Sequence, residues 1–159
     1  MAKRTVSTLT FEDLNPGDEW ESPARTVTEA DVVAFAGLSG DYNPIHVDHH
    51  SAADNAFGQP VAHGLLGVAI ASGLASYAPR VDTMAFVAIE EWKFLQPIAF
   101  GDTIRVVTEV VSVQPRARGR RALVTWRRRL VNHRGVVVQE GTTRTLVRGR
   151  AAPDLPPEG

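Results

Sequence analysis

The sequence contains no cysteine among its 159 residues. This excludes disulfide bonds, cysteine-ligated zinc and a thiol nucleophile, and it fits a reducing compartment. Residues 1–10 are polar and lack the apolar stretch of a secretory signal, so we expect a cytoplasmic protein. The longest apolar run, residues 64–78, has about 15 residues, short of the ~20 that a membrane-spanning helix needs. We therefore predict no membrane span.

Charge is nearly balanced over the whole chain but unevenly placed along it. The formal net charge is −1, yet residues 1–104 hold 14 acidic and 5 basic side chains, whereas residues 105–159 hold 4 acidic and 12 basic ones. The excess of arginine in the second part indicates an anionic ligand or partner. The near-neutral total and the lack of a binding motif argue against nucleic acid.

Two groups of arginines stand out in the second part of the chain. The first, at a predicted hairpin, fits either contact with phosphates or an acidic carrier protein, or a solvated hairpin tip. It comprises Arg116, Arg118, Arg120 and Arg121. The second is Arg127 to Arg129 inside a predicted strand, where alternation puts Arg128 on one face and its two neighbours on the other. One of those faces is then an interface or a ligand channel.

Helix signals dominate the first half of the chain. Thr28 followed by acidic residues predicts a helix start, and Gly37 and Gly40 predict its end. A second short helix is predicted over residues 48–57, with Ala52, Ala53 and Ala56 facing inward. A third begins at Gly64 and is apolar nearly all round, so we expect other structure to enclose it.

Strand signals dominate the second half. Four alternating or β-branched segments, residues 84–94, 103–113, 122–131 and 136–147, are separated by short turns. Short connections predict an antiparallel sheet. Following a helix that is apolar on all sides, such a sheet is expected to wrap around it. We predict one α+β domain over residues 1–150 and a disordered, proline-rich tail over residues 151–159.

Asp41, Asn43 and His46 form the densest polar cluster. Pro44 disfavours helix at Asn43, so an ordered loop or turn is predicted here. A carboxylate and an imidazole five residues apart can flank one water molecule and divide acid and base roles near neutral pH. Asn43 either fixes the loop through its own side chain or orients His46. The alternative is that these residues form a turn and nothing more.

Gly64 begins the apolar helix directly after His63. A glycine at this position leaves a backbone N–H that no side chain shields, and such an N–H can stabilise negative charge on an oxygen, assisted by the helix dipole. The alternative is that Gly64 is there for close packing. His63 itself is predicted to be a hydrogen-bonded turn residue.

The segment from Leu38 to His46, followed by Ala52, resembles the hydratase motif of the MaoC-like (R)-specific enoyl-CoA hydratases. The pair His63-Gly64 is similar to that family's turn into its central helix. Two later stretches, Trp92 to Pro97 and Gly101 to Thr103, also resemble the family. The likeness extends from about residue 20 to residue 147.

This resemblance implies a hot-dog fold, in which an antiparallel sheet wraps a long central helix, and a homodimer or dimer of dimers with the active site near the subunit interface. It implies that Asp41 and His46 activate a water that adds to a trans-2-enoyl thioester, or act in the reverse dehydration. The N–H of Gly64 would bind the thioester oxygen, and Ser72 would support Asp41. The substrate would be an acyl-CoA or an acyl carrier protein thioester, with no cofactor.

Other functions stay open on the sequence alone. A hot-dog thioesterase would use a carboxylate and water to cleave the same thioester, and a non-catalytic acyl-CoA-binding subunit would keep the pocket without needing Asp41 and His46. The spacing of His46 and His49 is compatible with a metal ligand pair, but no cysteine or suitably spaced carboxylate completes a site, so we expect no metal.

Overall fold

The computed structural model describes residues 7–150, so the predicted tail at residues 151–159 lies outside the described residues. Within that range the chain forms four α-helices, six β-strands and two short 3-10 helices. The helices are α1 Glu29–Ser39, α2 Pro44–Val47, α3 His49–Ala53 and α4 Gly64–Ala75, and the 3-10 turns are Phe11–Asp13 and Ala117–Gly119. The strands are β1 Glu19–Glu21, β2 Arg25–Thr26, β3 Thr83–Phe94, β4 Thr103–Arg116, β5 Arg121–Asn132 and β6 Val137–Arg148.

The strands form one antiparallel sheet in the order β1-β4-β5-β6-β3, with β2 also paired to β4. All four strands predicted in the second half of the chain are confirmed; β3, β4 and β5 are longer than predicted, and β6 is shifted by one residue. Strand β3 is the edge strand beside β6, and most of its side chains are exposed.

Helix α4 packs on the concave face of this sheet. Its inward side chains include Leu66, Ile70 and Leu74, each at most 8% exposed, and they meet Val106 and Leu130 of the sheet in the main core. Burial of three such side chains contributes about 1.5–3 kcal/mol each relative to exposure. The predicted sheet around a central helix is therefore confirmed.

The expectation that α4 is enclosed all round is wrong for the single chain. Leu65 is 66% exposed, and Ala69, Ser72 and Gly73 on the same side are also exposed. The sheet curves around one side of the helix only, so the apolar residues of the other side have no cover within the described residues. None of the helices in residues 7–150 is long and apolar enough to cross a membrane.

The start of α1 confirms the sequence signal. Thr28 is the N-cap and exchanges hydrogen bonds with Asp31. The helix continues through Gly37 and ends at Gly40, which has the left-handed conformation with φ 78°. Only Gly40 therefore ends the helix, because only it adopts the positive φ that favours glycine.

Helix α3 is shorter than predicted, and of its three predicted inward alanines only Ala52 is buried. Ala53 and Ala56 are exposed, so their predicted burial is wrong. The reason is the side chain of Asn55, which accepts the N–H groups of Phe57 and Gly58 and closes a turn in place of further helix.

Candidate active site

The segment after α1 places His46 in a helix rather than in a loop. Asn43 is the N-cap of α2, its Oδ1 accepting the N–H of Ile45 at 3.1 Å, and Pro44 is the first helical residue. The prediction that His46 lies in a loop is wrong. Proline disfavours helix at the residue before it, but its fixed φ suits the first position of a helix, which Pro44 occupies here. The side chain of Asn43 fixes this turn, which is the first of its two predicted roles.

The imidazole of His46 has a defined orientation. Its Nδ1 lies 2.7 Å from the carbonyl oxygen of Val61, and since a carbonyl only accepts, Nδ1 donates. In the neutral ring, Nε2 then carries the lone pair. That Nε2 lies 4.0 Å from Oδ2 of Asp41. The His46 side chain is 14% exposed and that of Asp41 53% exposed, so the pair lies at the mouth of a cleft with the imidazole inside.

Asp41 is held from three sides. Its Oδ1 accepts the N–H of Asn43, its own N–H donates to Oγ of Ser39, and both distances are 3.2 Å. Its carbonyl oxygen accepts a hydrogen bond from Nε2 of His63 at 2.9 Å. These contacts leave Oδ2 directed to the space beside His46. A water there can donate one hydrogen to each acceptor, because the 4.0 Å gap is close to the spacing of two acceptors on one water.

His63 joins the parts of this site, a role that the sequence did not reveal. Only 3% of it is exposed, and its ring stacks on that of His46 with centroids 3.8 Å apart and an interplanar angle of 27°. Phe35 packs on its other side at 5.1 Å. The predicted hydrogen-bonded turn residue is confirmed. The position of His63 directly before Gly64 indicates a residue near the site. Its stacking on His46 could not be predicted in this way, because His46 lies 17 positions earlier in the chain.

The side chains of Asp41, His46 and His63 each bring one potential ligand atom within 4.8 Å of the others. Zinc ligands lie about 2.0–2.2 Å from the metal, so their atoms lie closer together than this. One nitrogen of each imidazole already bonds a carbonyl, which leaves one nitrogen on each ring. The arrangement suits a water molecule better than a metal ion, and the expectation of no metal stays a prediction.

Gly64 is the first residue of α4 and lines the same cleft as His46. This cleft has a volume of about 340 Å³, and its walls include Phe57, Phe94 and Gln139. His63 supplies no side-chain cap to α4, and the N–H of Gly64 bonds no described residue. An unpaired first-turn N–H at the positive end of the helix dipole therefore belongs to a residue that lines the cleft.

The packing explanation for Gly64 also holds. A Cβ at this position would lie 2.8 Å from Cε1 of Phe94, closer than carbon atoms pack. The carbonyl oxygen of Gly64 accepts Nε2 of Gln139 at 3.0 Å, and Oε1 of Gln139 accepts Nε1 of Trp92 at 3.2 Å. The two explanations are compatible, since a residue without a side chain serves both.

Ser72 lies two turns further along α4 and is not brought to Asp41 within one chain. The described residues contain no hydrogen bond between them, and Ser72 instead lines two cavities beside Arg128. The support of Asp41 by Ser72 therefore stays a prediction.

The chain is similar to several known proteins. Residues 13–129 match the family model of the MaoC like domain. The (R)-specific enoyl-CoA hydratase of Rhodospirillum rubrum is 33% identical over 141 residues, which cover 88% of this chain and 92% of that protein. The 3-hydroxybutyryl-CoA dehydratase of Methylorubrum extorquens is 36% identical over 118 residues, 74% of this chain and 73% of that protein.

Protein MaoC of Klebsiella aerogenes is 43% identical over 96 residues, 60% of this chain, but the match spans only 29% of that longer protein. Among solved structures, a Mycobacterium tuberculosis protein with a double hot-dog fold superimposes with a TM-score of 0.80 at 22% identity, covering 95% of this chain and 47% of that one. The fold is thus a hot-dog fold, as the resemblance implied. The chain belongs to the MaoC-like family of hydratases and dehydratases.

Proposed function

We propose that this protein is a cytoplasmic hydro-lyase that adds water to a trans-2-enoyl thioester, giving an (R)-3-hydroxyacyl thioester, or catalyses the reverse dehydration. One observation carries the proposal. The carboxylate of Asp41 lies 4.0 Å from Nε2 of His46, and His46 lines one cleft together with Gly64, whose first-turn N–H is unpaired in the described residues. Relatives named as an enoyl-CoA hydratase and a 3-hydroxybutyryl-CoA dehydratase support it.

In the hydration direction, the water held by Asp41 and His46 forms the new C–O bond at C3 of the enoyl group. One proton of the water passes to this pair, and the electron pair of the double bond moves toward the thioester carbonyl. The N–H of Gly64 donates to that oxygen as it gains enolate charge. The pair then returns a proton to C2, so that one water is added and the catalyst is regenerated. Asp41 and His46 share the water, and the division of the two proton transfers between them is left open.

Hydration beside a thioester changes no oxidation state of the catalyst, so the reaction as proposed uses no redox cofactor. Asp41, His46 and the N–H of Gly64 supply the acid/base and oxyanion groups that it needs, and we propose no metal. The thioester is carried by CoA or acyl carrier protein. The four hairpin arginines are exposed and lie at or beside the turn between β4 and β5. They are Arg116, Arg118, Arg120 and Arg121. They remain candidates for contact with the anionic carrier.

We also propose a homodimer joined along β3. This edge strand pairs with β6 on one side, and its other side has no strand partner within the described residues. Its side chains include Phe86, Val87 and Ile89, each 48–51% exposed, and Leu65 on the open side of α4 is 66% exposed. Exposed apolar side chains next to an open sheet edge favour association, because both would otherwise face water.

One assay tests the proposed reaction. Purified protein is given crotonyl-CoA and a longer trans-2-enoyl-CoA, the loss of enone absorbance is followed, and free thiol is measured in parallel. We expect loss of enone with formation of 3-hydroxyacyl-CoA and no thiol. Release of thiol without the hydroxyacyl product would establish a thioesterase instead. Binding without either reaction would indicate the non-catalytic subunit.

A further inference from the structure

The three consecutive arginines of β5 have different environments. Arg127 pairs with Glu109 and Arg129 with Glu19 on the outer face of the sheet. Arg128 lies on the inner face and is 9% exposed. The alternation predicted from the sequence is confirmed, and it leaves the middle guanidinium under α4.

Arg128 has no carboxylate within ion-pair distance anywhere in residues 7–150. Its Nε donates to Oγ1 of Thr143 at 2.8 Å, and its Cζ lies 5.9 Å from the ring centroid of Trp126. The terminal nitrogens bond no described residue. Burial lowers the pKa of Arg128 to about 10, so the guanidinium is still charged at neutral pH. An unpaired buried charge is costly, and folds keep one where an anion balances it.

Two cavities meet at this guanidinium. The first, of about 210 Å³, is lined by polar groups that include Ser76, Thr108 and Thr145. Thr108 is 1% exposed, and its buried hydroxyl has no hydrogen-bond partner in the described chain. The first cavity therefore combines polar walls with an unpaired guanidinium, a lining that suits an anion.

The second cavity, of about 270 Å³, has mainly apolar walls and shares Ser72, Phe86 and Arg128 with the first. Its walls include Phe86 and Ile89 of the proposed dimer interface, so in the dimer the partner would close this cavity. Its apolar walls begin at Leu65, the residue after Gly64, and continue along α4 to Ser72. The eight residues from Gly64 to Ser72 span roughly 12 Å of helix. An acyl group that follows α4 from Gly64 to Ser72 would pass the apolar walls of this cavity and end at Arg128.

We propose that Arg128 binds a carboxylate at the far end of the acyl group, so that the substrates are 2-enoyl thioesters of dicarboxylic acids. A guanidinium matches a carboxylate in a bidentate geometry. The inner face of β4, β5 and β6 carries no acidic side chain near Arg128 that would repel this group. The proposal rests on the hydratase function proposed above.

The experiment compares pairs of ligands with the same carbon number, one ending in a carboxylate and one in a methyl group. Unreactive saturated acyl-CoAs are titrated calorimetrically, and the matching trans-2-enoyl-CoAs are used for kcat/KM. The variants are Arg128→Met and, as a control that removes a charge from the other face of the same strand, Arg127→Met. The free dicarboxylic acid is titrated alone to distinguish the acyl chain from an independent anion.

We expect the wild type and Arg127→Met to bind the carboxylate-ended acyl-CoA at least about 10-fold more tightly than its methyl-ended partner, a difference of about 1.4 kcal/mol. In Arg128→Met the preference is lost or reversed. Should Arg128→Met fail to fold, the preference for the carboxylate-ended acyl-CoA is compared between the wild type and Arg128→Lys. The lysine keeps the charge but lacks the planar guanidinium. Equal affinity for both partners in the wild type overturns the proposal, as does equally tight binding of the free dicarboxylic acid.

The outcomes separate the two proposals. If methyl-ended enoyl-CoAs are hydrated and no carboxylate preference exists, the hydratase stands and the Arg128 pocket is wrong. If the binding preference exists but no enoyl-CoA is hydrated, the pocket stands and the hydratase function is wrong.

Discussion

The imidazole ring of His46 stacks on that of His63 with centroids 3.8 Å apart, and His63 also donates a hydrogen bond to the carbonyl oxygen of Asp41. One buried ring thus fixes both members of the proposed catalytic pair. The same residue directly precedes Gly64, so the water-binding groups and the N–H donor are positioned by one short segment of chain. Their relative geometry depends on packing rather than on a flexible loop.

The pair is predicted to act as one unit. Asp41→Asn and His46→Gln should each lower kcat/KM for enoyl-CoA hydration by about 10²–10⁴-fold, because each removes an acid/base group from the shared water. The double variant should be little worse than the poorer single one, since groups that share a step are not additive. His49→Gln is the control, because that side chain is 61% exposed and pairs with Glu29. Near-normal activity in either single variant, with the fold checked by circular dichroism, would remove that residue from the mechanism.

The N–H of Gly64 can be removed without a change of helix start. Proline is favoured at the first position of a helix, and His63 has φ −56° and ψ 136°, the extended conformation that a following proline requires. A side chain at position 64 would clash with the ring of Phe94. The substitution is therefore made in a protein that also carries Phe94→Ala. There, Gly64→Pro should lower kcat by about 10²–10³-fold, as expected for loss of an oxyanion donor.

The matched control is Gly64→Ala in the same Phe94→Ala background, which adds a side chain but keeps the N–H. We expect it to retain most of the activity of the Phe94→Ala single variant. If the alanine and proline variants lose activity equally, the role of Gly64 is packing alone.

Two glycines of α4 should respond in opposite ways to the same substitution. A Cβ at Gly67 would lie 2.2 Å from Nε2 of Gln139, which is buried and hydrogen-bonded at both ends of its amide. Gly67→Ala should therefore lower the free energy of unfolding by about 1–3 kcal/mol. At Gly73 a Cβ meets nothing within 4 Å. Gly73→Ala should raise stability by about 0.5–1 kcal/mol through helix propensity. Urea unfolding of both variants measures the difference, and equal effects would contradict the packing at Gln139.

The sequence predicted most of the fold because its signals are local. Alternating β-branched residues gave the four long strands, and Thr28 gave the start of α1. Non-local features were not predictable in this way. The stacking of His63 on His46, the exposure of Leu65 and the lack of an acidic partner for Arg128 each depend on which distant elements the sheet brings together. Alternation placed Arg128 on its own face, but only the structure shows that no carboxylate lies there within the described part of the chain.

The β3 edge is predicted to be the dimer interface. Val87→Asp introduces a charge at a side chain that is 51% exposed on β3, whereas Val111→Asp introduces the same charge at a side chain 40% exposed on β4. Light scattering coupled to gel filtration should show a dimer for the wild type and for Val111→Asp, and a shift toward monomer for Val87→Asp. A wild type that is monomeric at micromolar concentration, or dissociation by both variants alike, would contradict this interface.

Stability in acid should depend on the cap between α2 and α3. One carboxylate oxygen of Asp48 accepts the N–H groups of His50 and Ser51, and the other accepts the Ser51 hydroxyl. The hydrogen bond from the Ser51 backbone, followed by that from its hydroxyl, holds the pKa of Asp48 below its ordinary value. A carboxyl whose pKa is lowered by folding stabilises the fold above its unfolded pKa of about 3.9. That contribution is lost as the pH falls through the lower, folded value.

Asp48→Ser provides a cap that does not titrate in this range. The difference in unfolding free energy between wild type and Asp48→Ser, measured with urea, should be constant from about pH 5 to 7 and shrink below about pH 4, because only the wild type then loses its charged acceptor. Asp48 also ends the helix that carries His46, its N–H bonding the carbonyl of Pro44 at 3.0 Å. A difference that stays constant through the acid range would show that the charge of Asp48 contributes nothing to the fold.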